Sequence, residues 1–123
     1  MRSRLSTAAF VIGILFTLQG VGWLLAPTRA ASGLGMPLLD GLGRSTQIGD
    51  FSAFFLTLGV TTLLGSRSGR SRLLYLPGCI LGAAAILRIL AWLFHGAAFA
   101  TAFIVIEIVT SAVLLTAAGR QEA

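Results

Sequence analysis

Four long apolar stretches, separated by short polar or glycine-rich segments, dominate the pattern of hydrophobic and polar positions in this 123-residue chain. Each is about as long as the ~20 residues that a helix needs to cross a bilayer. Backbone groups in lipid must find hydrogen-bond partners within their own segment, so the pattern predicts helices. We place them at about 5–26, 48–65, 73–94 and 97–118. The predicted fold is all-α, a single integral membrane four-helix bundle over residues 1–123.

The first stretch follows Arg2 and Arg4 and could be mistaken for a signal peptide. Its apolar run is longer than the 7–15 residues of a typical signal-peptide core, so we expect a retained helix. The other arginines favour one orientation. Arg67, Arg70, Arg72 and Arg120 fall on the side of Arg2 and Arg4, and only Arg29 and Arg44 fall on the opposite side. The positive-inside rule therefore predicts that both termini are cytoplasmic.

Composition agrees with a membrane protein. Hydrophobic residues make up 56% of the chain and charged residues 11%, and the mean hydropathy is +0.93. A net charge of +5 would suggest nucleic-acid binding in a soluble protein. Because the arginines cluster at the ends of apolar stretches, we expect no nucleic-acid partner. The single cysteine, Cys79, excludes an intramolecular disulfide and a CxxC motif.

Two ionisable residues, Arg88 and Glu107, lie inside the third and fourth apolar stretches. A charge in hydrocarbon is costly unless it is paired or hydrated, which makes these residues the first candidates for a functional site. With only His95 and Gly96 between the two helices, we predict a tight hairpin, with Arg88 roughly 11 Å and Glu107 roughly 17 Å below its tip. We expect an ion pair, either a structural clasp or part of a ligand or proton site.

Gln19, Asp50 and His95 extend this pair to a polar pocket in the outer half of the membrane. Asp50 is expected in the first turn of the second helix, favoured there by the helix dipole and paired with Arg44, although an acid–base role is also open. Gln19 is typical of an interhelical hydrogen bond. His95 suits a solvated turn, and without a second histidine we expect neither a metal nor a cofactor.

Two further features bear on assembly. The outer connection, 27–47, contains the glycine-rich apolar segment GLGMPLLDGLG, which is consistent with a loop in the headgroup region or with a gating lid. Small residues recur at four-residue spacing, which favours close helix packing within the chain or a homo-oligomer. They are Gly13 and Thr17; Ala53, Thr57, Thr61 and Gly65; and Gly78 and Gly82.

The span from Leu87 to Arg120 combines an arginine in helix three, a short HG turn and a glutamate midway along helix four. With PTRA after helix one and GDFSAFFLTLG in helix two, it resembles small bacterial four-helix membrane proteins related to the DoxX-like families, which are mostly domains of unknown function. The resemblance implies a fold and not an activity, and only Arg88 and Glu107 carry over from it, as site residues of unassigned role. We expect a bacterial inner-membrane location. His95 stands where many of those relatives carry an acidic residue.

No phosphate-binding loop, HExxH, GxSxG or haem motif occurs. The first functional hypothesis is therefore a binding protein for a lipid, quinone or isoprenoid-like amphiphile around Arg88 and Glu107. The second is a membrane-embedded acid–base enzyme, an isomerase or cyclase, with Glu107 or Asp50 as the catalytic group. A proton-coupled small transporter and an assembly subunit are further alternatives.

Overall fold

A computed structural model describes residues 3–120, and every regular element within that range is helical. The α-helices are α1 (Arg4–Leu25), α2 (Pro27–Gly33), α3 (Gly41–Gly65), α4 (Tyr75–Phe94) and α5 (Thr101–Gly119), with a 3-10 turn at Ser71–Leu74 before α4. By length and composition, α1, α3, α4 with its preceding turn, and α5 can each cross a membrane. The prediction of an all-helical chain with four membrane-length helices is confirmed.

The helices α1 and α3 form one closely packed pair. Glycines make the close approach possible: a Cβ at Gly20 would lie 2.8 Å from the backbone nitrogen of Leu56, and one at Gly59 would lie 2.5 Å from that of Thr17. Towards the end of α1 the packing of this pair is aromatic, with the ring of Trp23 stacked on Phe51 at 4.9 Å. This interface contains no ion pair within residues 3–120.

The helices α4 and α5 form the second pair. Gly78 leaves room for Leu115, because a Cβ on that glycine would meet the leucine side chain at 2.7 Å. One turn further along, the buried hydroxyl of Ser111 donates a 2.7 Å hydrogen bond to the carbonyl oxygen of Gly78. The small residues singled out in the sequence thus serve packing within the chain at Gly13, Thr17, Gly78 and Gly82.

The two pairs meet through α1 and α5 and around the connection 66–74. We call the end of the molecule that holds this connection the joined end. There the buried side chain of Leu74 packs over Gly65, and the Ser71 hydroxyl donates to the carbonyl oxygen of Ala118 at 3.3 Å. Buried residues of α4 stop at Ala85, and α3 and α4 contact each other only sparsely although they are consecutive in the chain. We call the opposite end, towards the start of α3 and the end of α4, the open end.

The helix α3 begins at Gly41, seven residues before the predicted start. The segment 41–47 contains two glycines and four polar residues, so its hydropathy resembles a loop. Side-chain contacts from within the helix explain why it forms. Arg44 donates from Nε to the carbonyl oxygen of Leu39 at 2.9 Å and from Nη2 to Asp40 at 3.1 Å. These contacts tie the first turn to the residues that precede it.

The helix α5 begins at Thr101, so six residues, 95–100, join α4 to α5 instead of the predicted two. Gly96 adopts a left-handed backbone conformation with φ of +67°, which ends α4 without allowing a new helix at once. The ring of Phe99 then packs edge-on against Trp92 at 5.1 Å. This contact folds the alanine-rich segment back along α4 before α5 starts.

Candidate ligand-binding site

Arg88 lies in line with the buried face of α4. Buried residues of this helix follow the three- and four-residue spacing of one helix face, namely Pro77, Gly78, Leu81 and Ala85. Arg88 is the next position in that series, whereas its neighbour Leu87 is 60% exposed on the outside. Its position in the sequence of α4 therefore turns the Arg88 side chain towards α5.

Glu107 occupies the matching face of α5. The buried positions of that helix include Ile104, Ser111, Leu114 and Ala118, and Glu107 lies three residues after the first and four before the second. The same spacing argument puts its carboxylate on the interior face. Both charged residues thus lie in line with the buried positions of their helices, towards the open end, and both are half-buried.

The two side chains form an ion pair between α4 and α5. Arg88 donates from Nε to both carboxylate oxygens of Glu107, at 2.9 Å to Oε1 and 3.1 Å to Oε2. The glutamate side chain is 14% exposed and the arginine side chain 37% exposed. The predicted ion pair is confirmed, and its arginine is the partner that remains accessible.

Phe103, one turn before Glu107 on α5, also contacts the Arg88 guanidinium. The Arg88 Cζ lies 4.8 Å from the centre of the phenylalanine ring, a cation–π distance. Nη1 and Nη2 make no hydrogen bond to any group in residues 3–120. The guanidinium is therefore held by the hydrogen bonds from Nε to Glu107 and by the contact of one of its faces with the Phe103 ring. Its four terminal N–H donors remain available to another partner.

The structure does not link Gln19 or His95 to this ion pair by a hydrogen bond. Gln19 is half-buried on α1, and no group in residues 3–120 is hydrogen-bonded to its side chain. His95 is exposed immediately after α4 and likewise has no side-chain partner in the described range. Of the five candidate residues, the ion pair brings only Arg88 and Glu107 into direct contact.

Asp50 differs from its predicted setting in two respects. Because α3 starts at Gly41, Asp50 lies in the third turn and not in the first, so the helix dipole does not explain it. Arg44 pairs with Asp40, four residues before it, and not with Asp50. Both predictions are wrong for the same reason, the early start of α3. The Asp50 side chain is exposed and has no ion-pair or hydrogen-bond partner within residues 3–120.

Asp50 also borders a cleft of about 380 Å³ between α3 and α4. The α3 wall runs from Asp50 to Thr61 and includes the hydroxyl of Thr57, while the α4 wall is formed by Leu76, Pro77 and Ile80. The remaining lining is mainly apolar, with Ala53, Phe54 and Leu58. Part of the small-residue stripe on α3 therefore faces this cleft and not a neighbouring helix.

Gln47 is a structural residue that sequence reasoning did not single out. Its side chain is 5% exposed. Its Oε1 accepts from the backbone nitrogen of Leu39 at 2.7 Å, and its Nε2 donates to the carbonyl oxygen of Pro37 at 3.0 Å. These bonds fasten the segment 34–40 over the α1–α3 pair, where Met36 and Leu38 pack against the core. No hydropathy signal distinguishes this glutamine from a loop residue.

Within residues 3–120, no three His, Cys, Asp or Glu side chains come together as a group that could hold a metal ion. Comparison of the chain with protein-family models, with curated proteins and with solved structures gives no match. The resemblance to DoxX-related proteins stays a prediction from the sequence.

Proposed function

We propose that this protein is a multi-pass protein of a bacterial inner membrane that binds a lipid, quinone or isoprenoid-like amphiphile. In this proposal the polar head of the amphiphile meets Arg88, and its apolar part lies along the cleft between α3 and α4. One observation carries the proposal. Arg88 is half-buried within a membrane-length helix and is held at Nε by Glu107, yet both of its terminal nitrogens lack a partner within residues 3–120.

The cost of leaving such donors unpaired supports this assignment. A guanidinium has five N–H donors, and Glu107 engages only the one on Nε. In a membrane, unpaired donors cost free energy unless water, a lipid headgroup or a ligand oxygen accepts their hydrogens. Phosphate, carboxylate and quinone oxygens are all acceptors of this kind. The ion pair then orients the arginine, while the ligand completes its hydrogen bonds.

The cleft suits the apolar part of such a molecule. Its volume of about 380 Å³ falls in the range of roughly 300–1,000 Å³ that is usual for small-molecule sites. Its lining is mainly apolar with a few polar groups, which is also usual for such sites. Hydrophobic burial contributes about 0.8 kcal/mol for each CH₂ group, so a short length of chain in the cleft adds substantially to affinity.

The orientation part of the proposal rests on charge. Arg67, Arg70 and Arg72 are exposed at the joined end, in the short connection before α4. Exposed Arg29 and Arg44 belong to the opposite end, in α2 and the first turn of α3. The positive-inside rule assigns the more basic end to the cytoplasm, which puts both chain termini on that side.

Native mass spectrometry of the protein released from bacterial membranes in a mild detergent tests the binding proposal. We expect wild-type protein to retain an amphiphile, and Arg88→Gln to retain roughly tenfold less or lower, because charge-assisted hydrogen bonds are lost. Arg29→Gln is the matched control, since it removes an exposed arginine outside the ion pair and should leave the bound molecule in place. Circular dichroism checks that each variant remains helical.

Equal retention by Arg88→Gln and wild type, with both proteins folded, would contradict the proposal. So would wild-type protein that carries no amphiphile beyond the bulk membrane composition. Arg88→Lys adds a further check, because it keeps a charge but loses the planar guanidinium geometry. We expect it to retain an intermediate amount.

A second candidate function, acid–base catalysis on a membrane-dissolved substrate, is supported by one observation. Asp50 presents an unpaired carboxylate to the cleft, whereas both oxygens of Glu107 are engaged by Arg88. An isomerase or cyclase would therefore use Asp50 in preference to Glu107 as its proton acceptor. Turnover of a lipophilic substrate that disappears in Asp50→Asn but persists in Asp40→Asn would support this function.

A further inference from the structure

A line of polar side chains runs down the α3 wall of the cleft between α3 and α4. Asp50, Thr57 and Thr61 all line this cleft. Their spacings from Asp50, seven and eleven residues, are close to two and three complete helical turns, so the three side chains leave α3 within about 40° of one another. The carboxylate and both hydroxyls make no hydrogen bond or ion pair within residues 3–120. A ligand in the cleft therefore meets polar groups that the described part of the chain does not use.

The cleft is apolar towards the joined end and carries its charge at the other extreme. Its α4 wall consists of Leu76 and Pro77, in the first turn of the helix, and Ile80, one turn later. On α3, Asp50 lies about 16 Å along the helix axis from Thr61, the lining residue of that helix nearest the joined end. A molecule that fills the cleft thus has its apolar part beside α4 and one end beside the carboxylate.

The spacing of the polar groups does not suit a small inorganic cation. Thr57 is about 10 Å from Asp50 along the axis, whereas a metal ion binds its oxygen ligands at about 2–2.6 Å. Within residues 3–120, no three His, Cys, Asp or Glu side chains come together to hold a metal ion, at the cleft or elsewhere. A cation at Asp50 is therefore expected to be part of an elongated organic molecule.

The charge of the lining favours a cation over a phosphate. Within residues 3–120 the lining includes one carboxylate, that of Asp50, and no basic side chain. A carboxylate in apolar surroundings is costly unless it has a counter-charge and hydrogen-bond donors. An ammonium group supplies both, since it carries the opposite charge and up to three N–H donors. A phosphate would be repelled by Asp50 and would find no cation among the lining residues.

Phe54 provides a second contact for an ammonium group at the same end of the cleft. It lies one turn after Asp50 on α3, lines the cleft and is 37% exposed. Side chains four residues apart are neighbours on a helix surface. The face of an aromatic ring attracts an ammonium group that lies within about 6 Å of the ring centre. The carboxylate and the ring thus suit the same cation.

We infer that the cleft between α3 and α4 binds a lipophilic amine, a molecule with an ammonium group and an apolar chain but no phosphate. The ammonium group donates to Asp50 and contacts Phe54, and the chain extends between the two helices to Pro77. This inference goes beyond the proposed function, because it adds a cationic ligand and does not depend on Arg88. Both ligands place an apolar part in the cleft, so they compete for it.

Photoaffinity labelling of the purified protein in detergent tests this inference. The probes are decylamine and decanol, each with a diazirine at the methyl end of its chain, and peptide mass spectrometry measures how strongly each labels the cleft walls of α3 and α4. We expect decylamine to label wild type about tenfold more than decanol, because only the ammonium group forms a charge-assisted hydrogen bond with Asp50. Asp50→Asn should lower labelling by decylamine to the level of decanol.

Asp40→Asn is the matched control, because Asp40 is an exposed carboxylate that pairs with Arg44 outside the cleft. Asp40→Asn and Arg88→Gln should both keep the wild-type preference for decylamine. An Asp50→Asn protein with that preference, or a wild-type cleft that both probes label equally, would overturn the inference. Neither result changes the retention of an amphiphile by wild type and Arg88→Gln, so the failure of this inference and that of the proposed function are distinguishable.

Unlabelled phospholipids distinguish a free amine from the ammonium group of a lipid headgroup. Phosphatidylethanolamine and phosphatidylglycerol should compete equally with the decylamine probe, because the lining offers no cation to the phosphate of either. Stronger competition by phosphatidylethanolamine that disappears in Asp50→Asn would make a phospholipid the source of the ammonium group. That result would overturn the assignment to an amine without a phosphate.

Asp50→Glu keeps the test decisive if the asparagine variant folds poorly. It preserves the negative charge on a longer side chain, so we expect most of the preference for decylamine to remain. A folded Asp50→Glu protein that both probes label equally would contradict the ammonium contact. Circular dichroism and thermal unfolding in the same detergent establish folding for every variant.

Discussion

The two helix pairs solve the same packing problem with different chemistry. Between α1 and α3, glycines and stacked aromatic rings fill the interface, and no ion pair joins the helices within residues 3–120. Between α4 and α5, small residues allow close packing near the joined end, and an ion pair between an arginine and a glutamate joins the helices further along. The first pair shows that this chain can join two membrane-length helices without charge.

This difference bears on why Arg88 and Glu107 are present. A buried ion pair is weak support for stability, because removing two charges from water offsets much of their attraction. Small apolar residues hold α1 and α3 together at lower cost. This comparison favours a role other than joining helices for the charges between α4 and α5, and it supports the proposal that this pair binds a ligand.

The largest effect is expected in the uncharged pair. In Gly59→Ala, the new methyl group would lie 2.5 Å from the backbone nitrogen of Thr17, so α1 and α3 must move apart. We expect a loss of about 2–3 kcal/mol in the free energy of unfolding, measured by thermal or denaturant unfolding in detergent. Gly49→Ala in the same helix is the control, since nothing lies within 4 Å of its added Cβ. A loss of equal size in both variants would show that the contact with Thr17 does not limit helix approach.

The next effect separates a structural clasp from a binding site in the charged pair. Glu107→Gln leaves Arg88 without its counter-charge, and we expect it to lower the free energy of unfolding by roughly 1–2 kcal/mol, less than for a fully buried pair because Arg88 is partly exposed. The double variant Arg88→Met with Glu107→Leu should recover to within about 1 kcal/mol of wild type. It should still retain roughly tenfold less amphiphile.

Two results of the double variant would weaken the contrast between the pairs. A double variant that is less stable than Glu107→Gln alone would make the ion pair a structural element. A stable double variant that retains amphiphile like wild type would remove Arg88 from the site. Unfolding by circular dichroism and retention by native mass spectrometry on the same samples distinguish these results.

The smallest effect concerns the part of the α4–α5 interface that carries no charge. Ser111→Ala removes the buried hydroxyl that bonds to the carbonyl oxygen of Gly78 across the helices. We expect a loss of about 0.6–1 kcal/mol. The control is Thr116→Ala, whose hydroxyl bonds to the carbonyl oxygen of Ala112 in its own helix and faces outward. Amphiphile retention should be unchanged in both, and a loss of retention in Ser111→Ala would extend the site towards the joined end.

The sequence predicted the helices and the ion pair because both depend on simple spacing. Four apolar runs of membrane length predict the four helices. On α4, Arg88 follows the buried Ala85 by three residues, so it lies on nearly the same helix face. On α5, Glu107 precedes the buried Ser111 by four residues and likewise shares its face. The wider six-residue connection at 95–100 did not prevent their contact, since an arginine side chain spans the difference in height.

Asp50 was assigned a wrong environment because helix starts depend on local side-chain contacts and not on hydropathy. Arg44 bonds to Leu39 and Asp40 and stabilises a glycine-rich first turn that reads as a loop. The cleft was not predictable at all. It depends on how sparsely α3 and α4 contact each other in the folded chain, which spacing along the sequence does not show.

The segment 34–40, fastened by Gln47, has a consequence for how a ligand reaches its site. This segment covers the end of the α1–α3 pair, whereas the cleft lies on the other side of α3. If the proposed site binds an amphiphile, we expect the molecule to enter sideways, from the surrounding leaflet between α3 and α4, without displacing the segment 34–40. Its exchange would then follow lateral diffusion in the bilayer, and its occupancy would report the lipid composition of that leaflet.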